Sequence, residues 1–196
     1  MTSFGFLGCV SMSSLQTART LAKDTSQNSI GGGVYKSKTN VGTEKVETNL
    51  PYLEYSYRRG FTDNLDAGLK LTFIGAYSAD TKYQIYTNDK FAFSAGAGLG
   101  YMSYKVSAGA EDQEVKFLDL MLPVYLSYDF TPGFTLYTSP KYIMRKITGS
   151  TTSNEGITGL TVGTKIGEKS GVFVEATVIK GKDDTAMTQY NISYFW

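Results

Sequence analysis

Charged side chains recur on one face of the segments that the sequence predicts as β-strands. Successive residues of a strand point to opposite sides of the sheet, so side chains at every second position share one side. Both signs occur there in nearly equal number, which favours ion pairing across neighbouring strands. The predicted inward charges are Glu54, Arg58, Asp66, Lys70, Lys82, Asp119, Asp129, Lys141, Arg145, Lys165 and Glu175.

The spacing of these charges around tight turns predicts specific ion pairs. With a turn after Gly60, Arg58 would face Asp66 and Glu54 would face Lys70. Such cross-strand pairs would neutralise charges that would otherwise be unpaired in the narrow space enclosed by the sheet. We therefore predict an interior largely filled by charged and polar side chains.

The same alternation argues against two other uses of the charges. A register around Pro132 places Asp119 opposite Arg145, an acid facing a base. Acid–base catalysis by two carboxylates needs the acids side by side with pKa values driven apart, and the alternation brings no two predicted inward acids together. A selective pore more often carries one sign in excess.

The composition removes further classes of chemistry. The 196 residues include no histidine and a single cysteine, Cys9, which excludes histidine-dependent nucleophilic and zinc sites and any internal disulfide. The net charge of +1 does not indicate a nucleic-acid partner. The glycine runs 31–33 and 96–100 lack the Lys-Ser/Thr of a phosphate-binding loop. We predict no enzymatic activity, no cofactor and no bound metal.

From Ser29 onward the chain repeats one theme of alternating strands. The longest uninterrupted apolar run, Leu120–Leu126, is too short for a membrane-spanning helix, whereas segments of about ten residues suit tilted strands that cross a bilayer. We predict an all-β fold, a transmembrane antiparallel up-and-down β-barrel of about ten strands, with 8 or 12 also possible. The predicted strands are Ser29–Tyr35, Leu50–Arg59, Leu65–Ala76, Thr81–Thr87, Phe91–Tyr104, Val115–Phe130, Phe134–Met144, Ile157–Ile166, Val172–Ile179 and Met187–Trp196.

The predicted connections alternate in length, with a short Tyr77–Asp80 turn as the exception. Tight turns at one end and long loops at the other are typical of outer-membrane barrels, so both chain ends are predicted on the periplasmic, turn side. The tight turns are Phe61–Asn64, Asn88–Lys90, Thr131–Gly133 and Gly167–Ser170, and the longer polar loops are Lys36–Thr48, Lys105–Glu114, Arg145–Gly156 and Lys180–Ala186.

The last strand carries an aromatic signature. Its apolar side chains, Tyr190, Ile192, Tyr194 and Trp196, fall on one face and end on an indole, which suits a membrane interface. The pattern resembles the closing strand of bacterial outer-membrane β-barrels. The resemblance implies a bacterial outer-membrane location, with membrane lipid and the barrel-assembly machinery as partners.

The amino-terminal stretch differs from the remainder. Phe6-Leu7-Gly8-Cys9 resembles the lipobox of bacterial lipoproteins, which implies a lipid anchor at Cys9; a plain unpaired thiol is the alternative. The following residues 11–27 are polar. We predict two parts, residues 1–28 as a lipobox-like segment and periplasmic tether, and residues 29–196 as the barrel.

Small residues interrupt the large outward side chains of the barrel. Such residues at bilayer depth let another surface approach closely, so they indicate a possible homo-oligomer face, the alternative being that they are merely tolerated against lipid. They are Ala67, Gly75, Ala95 and Ala97.

The functional prediction follows from these observations. We predict a non-enzymatic outer-membrane barrel with a structural or interaction role; a monomer and a homo-oligomer are both open at this point. A narrow porin-like channel for small solutes is the first alternative. A lipocalin-like binder of an apolar ligand is the second, in which the apolar stripes would point inward.

Overall fold

A computed structural model describes residues 12–41, 44–108, 111–181 and 186–196, so Cys9 lies outside the described residues. The described chain forms ten strands in one closed antiparallel barrel. No helix in these ranges is long and apolar enough to span a bilayer. The strands are β1 Ser26–Val41, β2 Glu44–Thr62, β3 Leu65–Thr72, β4 Ala76–Thr87, β5 Phe91–Ala108, β6 Glu111–Thr131, β7 Phe134–Thr148, β8 Thr152–Ile166, β9 Gly171–Lys180 and β10 Ala186–Phe195.

Each strand pairs with its neighbours in the sequence, and β1 pairs with β10 to close the sheet. In the closing pair Ile30 lies opposite Tyr194, and Tyr35 lies opposite Gln189. Closure leaves the strands without a free edge, so backbone donors and acceptors are paired within the sheet. The predicted fold class and the count of about ten strands are confirmed.

The two ends of the barrel differ. One end carries the tight turns at residues 63–64, 88–90, 132–133 and 167–170, the start of β1 and Trp196; we call it the turn end. At the opposite, hairpin end the strands run further than the sequence predicted. β1 and β2 stay paired up to Val41 opposite Glu44, β5 and β6 up to Ala108 opposite Glu111, and β7 and β8 up to Thr148 opposite Thr152.

Three of the four long loops predicted from the sequence are therefore mostly strand. Their sequences are mostly polar, which removes the apolar alternation that marks a half-buried strand, but the backbone can continue its ladder. The short turn predicted at Tyr77–Asp80 is also wrong. The chain reverses at residues 73–75, where Gly75 adopts a φ of +85° that glycine tolerates readily.

The outer surface is apolar and has aromatic residues near both ends. At the turn end the rings of Phe130 and Phe134 lie 5.5 Å apart, and Tyr194 stacks on Trp196 at 5.9 Å. Nearer the hairpin end the ring of Tyr77 lies 5.2 Å from that of Tyr101. Two aromatic girdles around an apolar band are typical of barrels that cross a membrane.

The candidate functional site in the lumen

The inside of the barrel holds the chain's own amino-terminal segment. Residues Met12–Leu21, called the lumenal segment below, precede β1, and Met12 and Ala18 are 2% and 0% exposed. Met12 packs against Tyr35 and Tyr52, well along β1 and β2, whereas the amide of Leu21 donates to Asp66 at the start of β3. The segment therefore runs along the barrel axis towards the turn end. The sequence prediction had placed these residues outside the barrel, in a periplasmic tether that ended at residue 28.

A tight exit turn joins the lumenal segment to β1. The amide of Asp24 donates to the carbonyl of Gly60 at 3.0 Å, and the Gly60 amide donates to the carbonyl of Thr25 at 2.9 Å. A Cβ on Gly60 would lie 2.2 Å from the carbonyl oxygen of Ala22 and 2.6 Å from that of Leu21. Glycine is thus required at position 60, because the wall and the exit turn touch backbone to backbone.

Glu175 is the main acceptor for the lumenal segment. Its carboxylate accepts the amides of Ser14 and Leu15, each at 2.9 Å. On the wall, it accepts the hydroxyl of Tyr137 at 2.9 Å and the side-chain amide of Asn191 at 3.0 Å. Two consecutive backbone amides on one buried carboxylate give a charge-assisted anchor for the chain.

Three wall lysines bind the carbonyls of the segment. Lys141 donates to the carbonyl of Met12 at 2.6 Å, and Lys70 donates to that of Ser13 at 2.5 Å. Lys82 donates to two further carbonyls, those of residues 17 and 19, each at 2.8 Å. The three ammonium groups thus satisfy backbone oxygens that would otherwise be buried in the lumen without secondary structure.

The predicted Glu54–Lys70 interaction is mediated by the segment. The hydroxyl of Ser13 donates to Glu54 at 2.8 Å, and Lys70 donates to the same hydroxyl at 2.6 Å. The predicted register was wrong by two residues. Glu54 lies opposite Thr72 rather than Lys70, because β2 continues to Thr62 before a two-residue turn, and the bulge between Gly60 and Thr62 offsets only one residue of this shift.

Arg58 forms the predicted ion pair with Asp66, although the two are not directly opposite each other. The same guanidinium also binds Asp80, which the sequence prediction had assigned to a turn. Lys82 completes this cluster, with its ammonium 3.4 Å from Asp66. The cluster is therefore an alternating network in which each acid contacts a base.

Asp119 and Arg145 form a second buried pair on the wall. They lie opposite each other in β6 and β7, as predicted, and Arg145 binds both carboxylate oxygens at 2.8 and 2.7 Å. The guanidinium also lies 5.3 Å from the ring centroid of Phe117. Because of its bidentate geometry and the cation–π contact, we interpret this pair as a structural interaction that stabilises the wall.

The last two predicted inward charges are half-buried near the turn end. Asp129 accepts from Arg19 of the lumenal segment at 2.5 Å and from Thr135 at 2.5 Å. Lys165 lies 4.9 Å from the ring centroid of Phe195. Both line a vestibule of about 850 Å³ that opens at this end.

Sequence reasoning missed the residues that the segment contributes, above all Ser13, Ser14, Gln16 and Arg19. These form no strand period, so alternation carried no signal for them. Small side chains at Ser13, Ser14 and Ala18 were the available signal, since they let a chain pass through a narrow bore.

The residues that were predicted to lie on the outside of the barrel are found in several different places. Tyr190, Ile192, Tyr194 and Trp196 are exposed on the outer face of β10. Of the predicted oligomer face, Gly75 lies instead in the turn between β3 and β4. Ala67 and Ala97 line an outer groove of about 700 Å³, to which Ala79 and Thr81 also contribute; Ala95 is half-buried on β5 and is not among the residues that line it.

Comparisons with known proteins bear on the fold. No protein-family model matches the sequence, and no curated protein sequence is similar to it. The outer membrane protease OmpT from Escherichia coli is similar in structure, with a TM-score of 0.54 and 12% identity over 91% of this chain and 98% of that chain. An outer membrane channel from Pseudomonas putida F1 has a TM-score of 0.54 and 11% identity over 91% of this chain and 97% of that chain.

A protease and a channel share this architecture, so the similarity shows the fold and leaves the activity open. The chain is therefore a closed, ten-stranded antiparallel barrel that resembles outer-membrane β-barrel proteins.

Proposed function

We propose that this protein is a non-enzymatic β-barrel of the bacterial outer membrane with a structural or interaction role, sealed by its own lumenal segment. The observation that carries the proposal is the occupied lumen. Glu175, Lys70, Lys82 and Lys141 all direct their charged groups at the backbone of residues 12–19.

The non-enzymatic part of the proposal rests on how the inward acids are used. Asp119 is bound by Arg145, and Asp66 and Asp80 share the guanidinium of Arg58. Each of these carboxylates is held by a base of the wall, whereas catalysis by a carboxylate pair needs acids that can exchange protons with a substrate. The absence of histidine from the sequence supports the same proposal.

The direction of the apolar side chains favours a membrane protein over a lipocalin-like binder. Leu69, Leu99 and Ile192 are 59%, 57% and 60% exposed on the outside, and the charges lie inside. A soluble binder of an apolar ligand needs the opposite arrangement, so lipid is the natural environment of this outer surface.

We also propose an orientation of the barrel in the membrane, its partners and its assembly. The turn end would face the periplasm, as in barrels with short turns on that side. Membrane lipid and the barrel-assembly machinery would be the partners, and the groove that includes Ala67 and Ala97 would be the face for a homo-oligomer. The proposal also includes a lipid anchor at Cys9, a residue that lies outside the described ranges.

Planar-bilayer recording of the purified full-length protein tests the seal. We expect the wild-type protein to fractionate with the outer membrane, to show a heat-modifiable band, and to give no reproducible current steps. Wild-type steps, or a monodisperse protein in detergent-free buffer, would refute the proposal.

A further inference from the structure

The wall around the lumenal segment carries buried charged groups beside its apolar side chains. Within the described part of the chain, six buried wall charges each contact a polar atom of the segment: Glu54, Asp66, Lys70, Lys82, Lys141 and Glu175. A buried charge that loses its partner carries a large desolvation penalty unless water replaces that partner. If the segment leaves, the lumen must therefore fill with water.

The segment can leave without breaking the barrel. Its residues precede β1, whose ladder begins with Ser26 opposite Arg59, and the closing pair of β1 with β10 involves residues 29–37 of β1. The contacts between segment and wall are side-chain hydrogen bonds, the apolar contacts of Met12, Leu15 and Ala18, and the exit turn at Gly60. The sheet and the segment are thus separate hydrogen-bonding systems.

The space that would open is wide enough for ions. Ten strands spaced about 4.8 Å apart and tilted by roughly 40° enclose a backbone radius of about 10 Å. Wall side chains take part of this space. In the described structure the remainder accommodates a single non-helical chain, and a polypeptide backbone needs a width of about 5 Å.

We propose that the lumenal segment is a gate over a latent aqueous path, which conducts small ions and polar solutes once the segment is displaced. The inference rests on the proposed function as a sealed barrel. The six wall charges that would become hydrated comprise Glu54, Asp66 and Glu175 against three lysines. Because the signs balance, the open path should discriminate weakly between cations and anions.

Two full-length variants open the gate by different routes. In the first, residues 12–21 are replaced by a Gly/Ser sequence of equal length, which removes the side chains and order of the segment and leaves the wall intact. In the second, Ala18→Trp puts a large ring at a position that is 0% exposed and packed against Ala92 and Tyr125. Ala176→Trp is the matched control, since Ala176 lies on the outer face of β9 between the exposed Val174 and Val178.

Each protein is purified in detergent, checked for the heat-modifiable band and β-sheet circular dichroism, and recorded in planar bilayers in KCl. We expect current steps from both gate variants and none from wild type or Ala176→Trp. In a tenfold KCl gradient the reversal potential of the open variants should stay near zero.

The outcomes separate the two proposals. Gate variants that are folded but give no current steps would overturn the proposal of a latent path, and the proposal of a sealed barrel would stand. Wild-type steps of the same size as those of the gate variants would overturn the seal, and the gate with it. A reversal potential close to the limit for either ion would overturn the proposed weak selectivity.

Discussion

Replacing Glu175 by Leu should strongly destabilise the barrel and release the lumenal segment. Four donors lose their acceptor: the amides of Ser14 and Leu15, the Tyr137 hydroxyl and the Asn191 amide. The two amides of the segment can regain water if the segment leaves, whereas the two wall donors stay in place. Hydrogen bonds to a charged group contribute about 1.5–3 kcal/mol each, so the two wall donors alone predict a loss of about 3–6 kcal/mol in unfolding free energy.

Glu175→Gln keeps an acceptor oxygen and loses the charge, so its loss should be about 1–2 kcal/mol. The assay is urea unfolding in lipid or detergent, followed by the fluorescence of Trp196, the single tryptophan. Glu114→Leu is the control: Glu114 forms an exposed pair with Lys116 at 2.9 Å, and its removal should leave the free energy of unfolding nearly unchanged. A Glu175→Leu variant as stable as the control would refute this account of the anchor.

Three further predictions concern other parts of the molecule. In a double-mutant cycle with Lys70→Ala and Glu54→Gln, the losses in unfolding free energy should be non-additive by more than about 0.5 kcal/mol, because Ser13 joins the two groups; additive losses would separate them. Removing Trp196 should deplete the heat-modifiable barrel from outer-membrane fractions, and normal amounts there would contradict a role of this residue in assembly. Ala97→Trp should abolish any cross-linked homo-oligomer of the wild type in mild detergent without changing the unfolding midpoint, and a wild type that cross-links only as monomer would remove the oligomer proposal.

The sequence by itself determined which side of each strand faces inward. Period-two alternation is local geometry, so the inward positions of Glu54, Asp119 and Glu175 follow once a strand is recognised. The ten-stranded fold and the tight turns followed from the same pattern. The direct pairing of Asp119 with Arg145 also followed, because the turn between β6 and β7 is short.

Strand register, the length of the strands at the hairpin end and the place of the lumenal segment were decided only by the tertiary structure, because residue alternation does not encode them. The partners of Glu54 and Lys70 differ from the predicted ones by two residues, because β2 extends to Thr62 before the turn and carries a bulge after Gly60, so register depends on the geometry of the whole hairpin. The hairpin-end strands continued through polar residues because backbone pairing does not require an apolar face. Met12–Leu21 entered the lumen although it carries no periodic signal of its own. Its place is set by charges that come from strands distant in sequence, such as Lys70, Lys141 and Glu175, and these meet around one chain only when the barrel closes.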